Sequence, residues 1–273
     1  MIQANVAAAE ELEKRKTPLL YRVHESPSAE KVKALSTFLR TLGRDWSLGQ
    51  NLKPAQFNKL LESVEGEDFQ HIVHEVVLRT QMQASYSPDN LGHFGLALSR
   101  YAHFTSPIRR YADLIVHRAL ISALGFGDDG LSADDIANLE ETSEMLALAE
   151  RRAMIAERET KDRLIAAWLA PQIGATFHGK ISGVVGAGLF VVLDGSGADG
   201  FVPVSGLGRD YFVFDEVAHA LRGRSTGETF QLGDRVEVKL LEVAPVKGGL
   251  RFDMVSDGRA GKPPKPQRKG KRR

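Results

Sequence analysis

At Ala175 the hydrophobic pattern of this 273-residue chain changes period, and no other feature limits the fold as much. Upstream, apolar residues recur at helical spacing through long stretches. Downstream, ATFHGKISGVV, GLFVVLD, GFVPVSGL and RVEVKLLEVAPVKGGLRFDMV are short alternating runs separated by glycines and turns. A 3.6-residue period followed by a 2-residue period predicts an α+β chain, helical first and β afterwards. Five strands in about 80 residues suit a small closed barrel of the OB type. The expected divisions are a mostly helical domain at 1–172, a barrel at 173–257 and a disordered basic tail at 258–273.

The tail is a matter of charge. Residues Arg259 to Arg273 hold eight Lys or Arg and no acid, so a chain of net +1 has a remainder of net −7 over residues 1–258. A Pro/Gly-rich cationic segment cannot bury a core, and such segments commonly bind polyanions. The rest of the composition, 42% hydrophobic and 26% charged, supports packed cores. The absence of cysteine removes disulfides and thiolate metal sites and fits a reducing cytoplasm. No apolar run reaches membrane-spanning length. The opening MIQANVAAAEELEKRK reads as an amphipathic helix and not as a secretory signal.

Within the helical part, helices are expected at Met1 to Lys16, from a Ser26-Pro27 cap to Leu42, at Pro54 to Val64 and at Phe69 to Met82. The last has Ile72, Val73, Val76 and Val77 on its inner side. TPLLYRVHESP reads as an extended link, SYSPDNLG as turns and His93 to Leu98 as a short strand. Ser132 and Asp135 form a capping box that opens a helix from Ala133 to Leu169, ended by Pro171 and Gly174.

The block TSPIRRYADLIVHR concentrates the chemistry. Ser106 as N-cap and Pro107 at the first helical position predict helix from Ile108 onward. Two arginines at a helix N-terminus suit a phosphate, with backbone N–H groups and guanidinium forks converging on it. The alternative is an ion pair between Arg109 and Asp113 one turn later. Carboxylates for a metal are not clustered. Asp128-Asp129 and Asp134-Asp135 sit where they would cap a helix, and His71, His74 and Glu75 lack a further ligand at familiar spacing.

The run LRTQMQASYSPDNLGHFGLALSRYAHFTSPIRRYADLIVHR, Leu78 to Arg118, resembles the end of the catalytic domain of the ribonuclease II / ribonuclease R family of 3′→5′ exoribonucleases. Phe177-His178-Gly179-Lys180-Ile181, Gly188-Leu189-Phe190-Val191 and Leu232-Gly233-Asp234-Arg235-Val236 resemble the hallmarks of the ribosomal S-one-type RNA-binding barrel. The likeness covers nearly the whole chain, and Asp210 to Glu216 with the basic tail favour the ribonuclease R branch.

The resemblance implies processive hydrolysis of RNA to nucleoside 5′-monophosphates, with Arg109 as the catalytic phosphate contact. Arg110 would back it, and Asp113 and His117 would steady its guanidinium from one and two turns along the same face. His93, Tyr101, Thr105 and Ser106 would line the RNA channel, with Phe94 and Phe104 as core aromatics. In the barrel, Phe190, then Phe177 and His178, would stack bases while Lys180 and Arg251 meet phosphates. Where many such barrels place a histidine this chain has Pro203. The resemblance also implies Mg²⁺ for the complete enzyme. Its aspartate-rich segment is expected upstream of these residues, so the isolated chain is expected to lack a metal site and to be inactive alone. A non-catalytic RNA-binding protein is the other class. The expected partner is single-stranded RNA, with the tail touching ribosomes or structured RNA; the chain is expected to be a cytoplasmic monomer without membrane contact.

Overall fold

A computed structural model describes residues 1–46, 52–67 and 69–261. The chain divides into two compact units, one built from Met1–Ser36 and Asp45–Met154, the other from Thr37–Arg44 and the chain from Ile155 onward. In the first unit, α1 (Ile2–Lys14) buries Ala8, Ala9 and Leu12 against Leu19, Tyr21 and Val23. The segment expected as an extended link contains β1 (Tyr21–Val23). The helix after it, α2 (Ala29–Thr41), starts later than the sequence suggests: Ser28, not Ser26, receives the Lys31 N–H on its hydroxyl. Then α3 (Pro54–Ser63) and α4 (Gln70–Thr80) follow, the latter with Ile72, Val73, Val76 and Val77 buried as its periodicity predicts.

The turn-rich stretch expected at SYSPDNLG holds β2 (Ser85–Ser87), antiparallel to β1. Three-residue strands are too short to show an alternation, so the pairing depends on tertiary contact that sequence periodicity does not carry. The strand expected at His93 to Leu98 is a 3-10 turn at Phe94–Leu96, with His93 Nδ1 accepting from the Leu96 N–H. Next, α5 (Tyr111–Leu124) starts at Tyr111, four residues later than Pro107, and closes on Gly125 in the left-handed region, φ +67°. The helix expected from Ala133 breaks at Asn138 into α6 (Ala133–Ala137) and α7 (Leu139–Leu169), with the Ser132–Asp135 capping box in place. Arg118 also binds Asp135, which fastens α6 to α5.

In the second unit the end of α7 buries Ala166 and Leu169 in the same core as the barrel. The barrel is closed, in the order β10-β5-β4-β3-β9, by β3 (Thr176–Val185), β4 (Gly188–Leu193), β5 (Asp199–Pro203), β9 (Arg235–Ala244) and β10 (Gly249–Met254). Between β5 and β9 lies a separate antiparallel sheet of β6 (Phe212–Asp215), β7 (Ala220–Gly223) and β8 (Thr229–Gln231). Its inner side chains Phe212, Leu221 and Phe230 join the barrel core. Inside the barrel, a Cβ on Gly200 would run into the Phe252 ring, so that position admits no side chain. The expected basic tail falls mostly on residues 262–273, outside the described residues. No described helix is long and apolar enough to cross a membrane.

Candidate nucleic-acid interface

Three side chains shape the loop ahead of α5. Asn5 on α1 is buried, accepts the N–H groups of Phe104 (3.0 Å) and Thr105 (3.2 Å) on Oδ1, and donates to the Tyr101 hydroxyl at 2.9 Å. Asp113, 0% exposed, accepts the Ser106 N–H at 2.7 Å and holds Arg110 through two further bonds of 2.7 and 2.8 Å. The ring of His117 stacks on Phe104 at 4.4 Å and its Nε2 bonds the Phe104 carbonyl at 2.8 Å. Burial alone would raise the Asp113 carboxyl. The Arg110 fork and the Ser106 N–H outweigh burial and hold it below its ordinary value, so it stays ionised.

This arrangement corrects the expected helix start. The Ser106 carbonyl accepts from the N–H groups of both Arg109 and Arg110, closing a turn over 107–109, and Arg110 is extended at φ −130°. Asp113 reaches back to the loop and so draws α5 to a start at Tyr111. The side-chain roles move accordingly. Asp113 grips Arg110 and not Arg109, and His117 serves Phe104, so neither steadies the Arg109 guanidinium. Arg109 instead lies exposed at the apex of the turn beside fully exposed Ile108, and among the described residues its guanidinium makes no hydrogen bond or ion pair. A planar guanidinium free of an acid can make a bidentate contact with an anion.

Behind this turn lies a cluster that sequence reasoning missed. The Tyr86 hydroxyl and His103 Nδ1 share a hydrogen bond at 2.9 Å, and Tyr101 packs edge-on to His103. Arg22 lies over the Tyr86 ring at 4.7 Å and pairs with Glu150 at 3.1 Å. Burial, then Arg110 and Arg22, push His103 down to about 4, and burial raises the Tyr86 hydroxyl, so both are neutral at neutral pH. These partners come from β1, β2, the loop and α7, and no local spacing could have joined them. Of the other residues expected along the channel, Tyr101 is buried on Asn5, and half-buried His93 caps the 3-10 turn, lowered by burial and by His24. Thr105 and Ser106 are half-buried with their N–H groups engaged. Among the described residues no three His, Asp or Glu side chains gather as a metal site.

On the barrel, Phe190 is 40% exposed and stands opposite Phe201, with ring centroids 5.2 Å apart. Arg251 follows Phe201 in register on β10. Phe190, Phe201 and Arg251 thus line one row across β4, β5 and β10, an aromatic platform of two rings tilted by 55°, with Arg251 at its edge and paired to Glu242 at 3.9 Å. Phe201 was not singled out in the sequence, although its place between inward Gly200 and Val202 marks it as outward. Phe177 is partly buried against the barrel core, whereas His178 is exposed and Lys180 half-exposed on β3.

The RNB domain family matches residues 1–125 and the S1 RNA binding domain matches residues 170–254. The chain is 42% identical to ribonuclease R of Escherichia coli over 95% of its own length and 33% of that protein's. It is 44% identical to ribonuclease R of Aquifex aeolicus over 93% of its length and 36% of that protein's. Mycoplasma genitalium RNase R in complex with ribose methylated single-stranded RNA is similar in structure, with a TM-score of 0.84 and 31% identity. That match covers 93% of this chain and 40% of the Mycoplasma chain. The chain spans about a third of the length of the curated relatives it matches.

Proposed function

We propose that the chain is the RNA-gripping end of a hydrolytic, ribonuclease R-like 3′→5′ exoribonuclease, a reading supported by its RNB and S1 domain matches and by its identity to ribonuclease R proteins. The substrate would be single-stranded RNA, released as nucleoside 5′-monophosphates. The observation that carries the reading is the pair of arginines in TSPIRRY. Arg110 is consumed by buried Asp113, while Arg109 is displayed without a partner among the described residues. A fixed guanidinium near the scissile phosphate stabilises the charge that grows on its oxygens in the transition state. Asp113 and Arg110 act earlier in the chain of cause, setting the turn that aims Arg109. The barrel platform would hold the RNA strand by stacking, and the basic tail would add attraction to ribosomes or structured RNA. Mg²⁺ would activate the attacking water, and its ligands are assigned to a segment other than these residues.

Two measurements test the reading. The chain alone should bind single-stranded RNA and release no nucleoside monophosphate with Mg²⁺ present. Joined to the preceding part of the Aquifex relative it should degrade RNA, and in that chimera Arg109→Ala should slow single-turnover cleavage by roughly two orders of magnitude. RNA affinity should hardly change, and Arg109→Lys should recover only part of the rate, because an ammonium lacks the planar fork. An inactive chimera that still binds RNA would favour the second reading, a non-catalytic RNA-binding protein. That reading is supported by the lack of a metal-ligand cluster among the described residues.

A further inference from the structure

The small sheet β6-β7-β8 faces away from the barrel core with an aromatic and cationic surface that the platform of Phe190 and Phe201 does not include. Strand alternation sends Phe212 inward, so neighbouring Tyr211 and Val213 face outward, and they are 70% and 40% exposed. Val213 pairs across the sheet with Arg222, which pairs in turn with Thr229. Arg224 donates its backbone N–H to the Tyr211 carbonyl at 2.9 Å, which makes the two residues neighbours. Both Arg224 and Arg209 are exposed and make no ion pair among the described residues.

Two of the nearby acids, Asp210 and Asp215, are already engaged. Asp210 accepts from the N–H groups of Tyr211, Ser225 and Thr226 and from the Thr226 hydroxyl, and Asp215 pairs with Arg222 at 3.4 Å. An exposed tyrosine costs solubility and gains nothing inside this fold, since no described side chain covers it. The same sheet also anchors the start of the basic segment. Thr229 and Arg259 exchange two backbone hydrogen bonds, of 2.9 and 2.8 Å, and Arg259 pairs with buried Asp234 at 2.6 Å. Seven further Lys and Arg follow in sequence after Gly261. An uncovered aromatic, unpaired arginines and the root of a polycationic segment all meet on one small sheet.

We propose that the outer face of β6-β7-β8 is a second single-stranded RNA-binding surface. Tyr211 would stack a base, while Arg209 and Arg224 would contact the phosphates beside it. The strand would reach this face from the barrel platform, because the inner side chains of the sheet and of the barrel share one core and form one unit. The inference rests on the RNA-binding reading of the barrel. A polyanionic, base-bearing strand is the occupant favoured by this surface, since an apolar protein partner would gain little from two uncompensated guanidinium groups.

The test is equilibrium binding of the full chain to unstructured RNA of two lengths. A strand of about 6 nucleotides fills one barrel, and one of about 20 exceeds it. Tyr211→Ala should weaken binding of the long RNA about tenfold and leave the short RNA unchanged, whereas Phe190→Ala should weaken both. Exchanging Arg209 and Arg224 for Gln should lower the salt slope for the long RNA by about 1.4. Tyr211 is exposed enough that its loss leaves the fold intact, and an unchanged melting temperature verifies this. Equal binding of the long RNA by Tyr211→Ala and the parent chain would overturn the second surface while leaving the barrel reading in place. Equal weakening of both lengths would also overturn it, by making Tyr211 part of the first platform. Indifference of both RNAs to Phe190→Ala would instead sink the barrel reading.

Discussion

A buried carboxylate decides which of two adjacent arginines is free. Asp113 has three hydrogen bonds and no exposure, so leaving Arg110 out of its fork would strand a charge in the interior, at a cost of several kcal/mol. Arg109 is therefore displayed by default. His103, one layer further in, shows the same economy from the opposite side. It faces Tyr86, Tyr101, Arg110 and Arg22, with Asp113 and Glu150 the acids that act on it, and burial first, then the two neighbouring cations, keep it neutral. Its pH dependence has a definite sign. The folded group titrates at about 4 against an ordinary 6.5, so between those values the unfolded chain binds more protons. Stability from this site is complete above pH 6.5 and is lost as pH falls toward 4. His103→Gln, which keeps a hydrogen-bonding group without the charge, should flatten that part of the stability profile. The difference should be on the order of 2 kcal/mol, less than the full linkage gives because the ring is partly solvated. Denaturant melts of both proteins at pH 7, 5.5 and 4 measure it, and parallel profiles would show that His103 is not the titrating group.

Among the elements, barrel strands tolerate side chains on one face only where the opposite wall leaves room. Gly200 sits on β5 where the Phe252 ring of β10 occupies the space a Cβ would need. Gly200→Ala should destabilise the barrel by about 1–3 kcal/mol, seen as a lower melting temperature of the second unit, while the first unit is unaffected. Phe252→Leu in the same chain should recover part of the loss if steric conflict is the cause. This packing also explains how much was legible in the sequence. The barrel strands alternate over five to ten residues with glycines between them, so their number and closure could be anticipated. The buried row of α4 and the capping box of α6 rest on local spacing and were equally readable. The paired β1 and β2, the late start of α5, the break at Asn138 and the separate sheet β6-β7-β8 depend on contacts across the chain. Ser106, Asp113 and Arg110 illustrate the reason: a side chain seven residues downstream takes the N–H that a Ser cap leaves open, and the local cap signal loses. The Tyr86–His103 pair and Phe201 were lost for a similar reason, since their significance lies in neighbours from other strands.

Over the whole molecule, charge and stacking are separated along the chain, which makes their contributions to RNA binding separable too. Residues 1–258 carry net −7, so attraction to a polyanion must come from local clusters and from the eight Lys and Arg of 259–273. Each phosphate neutralised releases condensed counterions, and for single strands the logarithm of affinity falls with the logarithm of salt by roughly 0.7 per contact. If four to six of the terminal cations engage phosphates, removing residues 260–273 should lower the slope by about 3–4 and weaken binding most at low salt. Keeping Arg259 preserves its pairing with Thr229 and Asp234, so the truncation does not unroot the sheet. Phe190→Ala removes a neutral ring from the Phe190–Phe201 pair, and it should weaken binding about equally at every salt concentration, with the slope unchanged. Fluorescence anisotropy titrations from about 50 to 200 mM salt distinguish the two effects. A slope that falls with Phe190→Ala would mean that the platform organises phosphate contacts rather than stacking bases. A slope indifferent to the truncation would assign the cations that matter to the folded units.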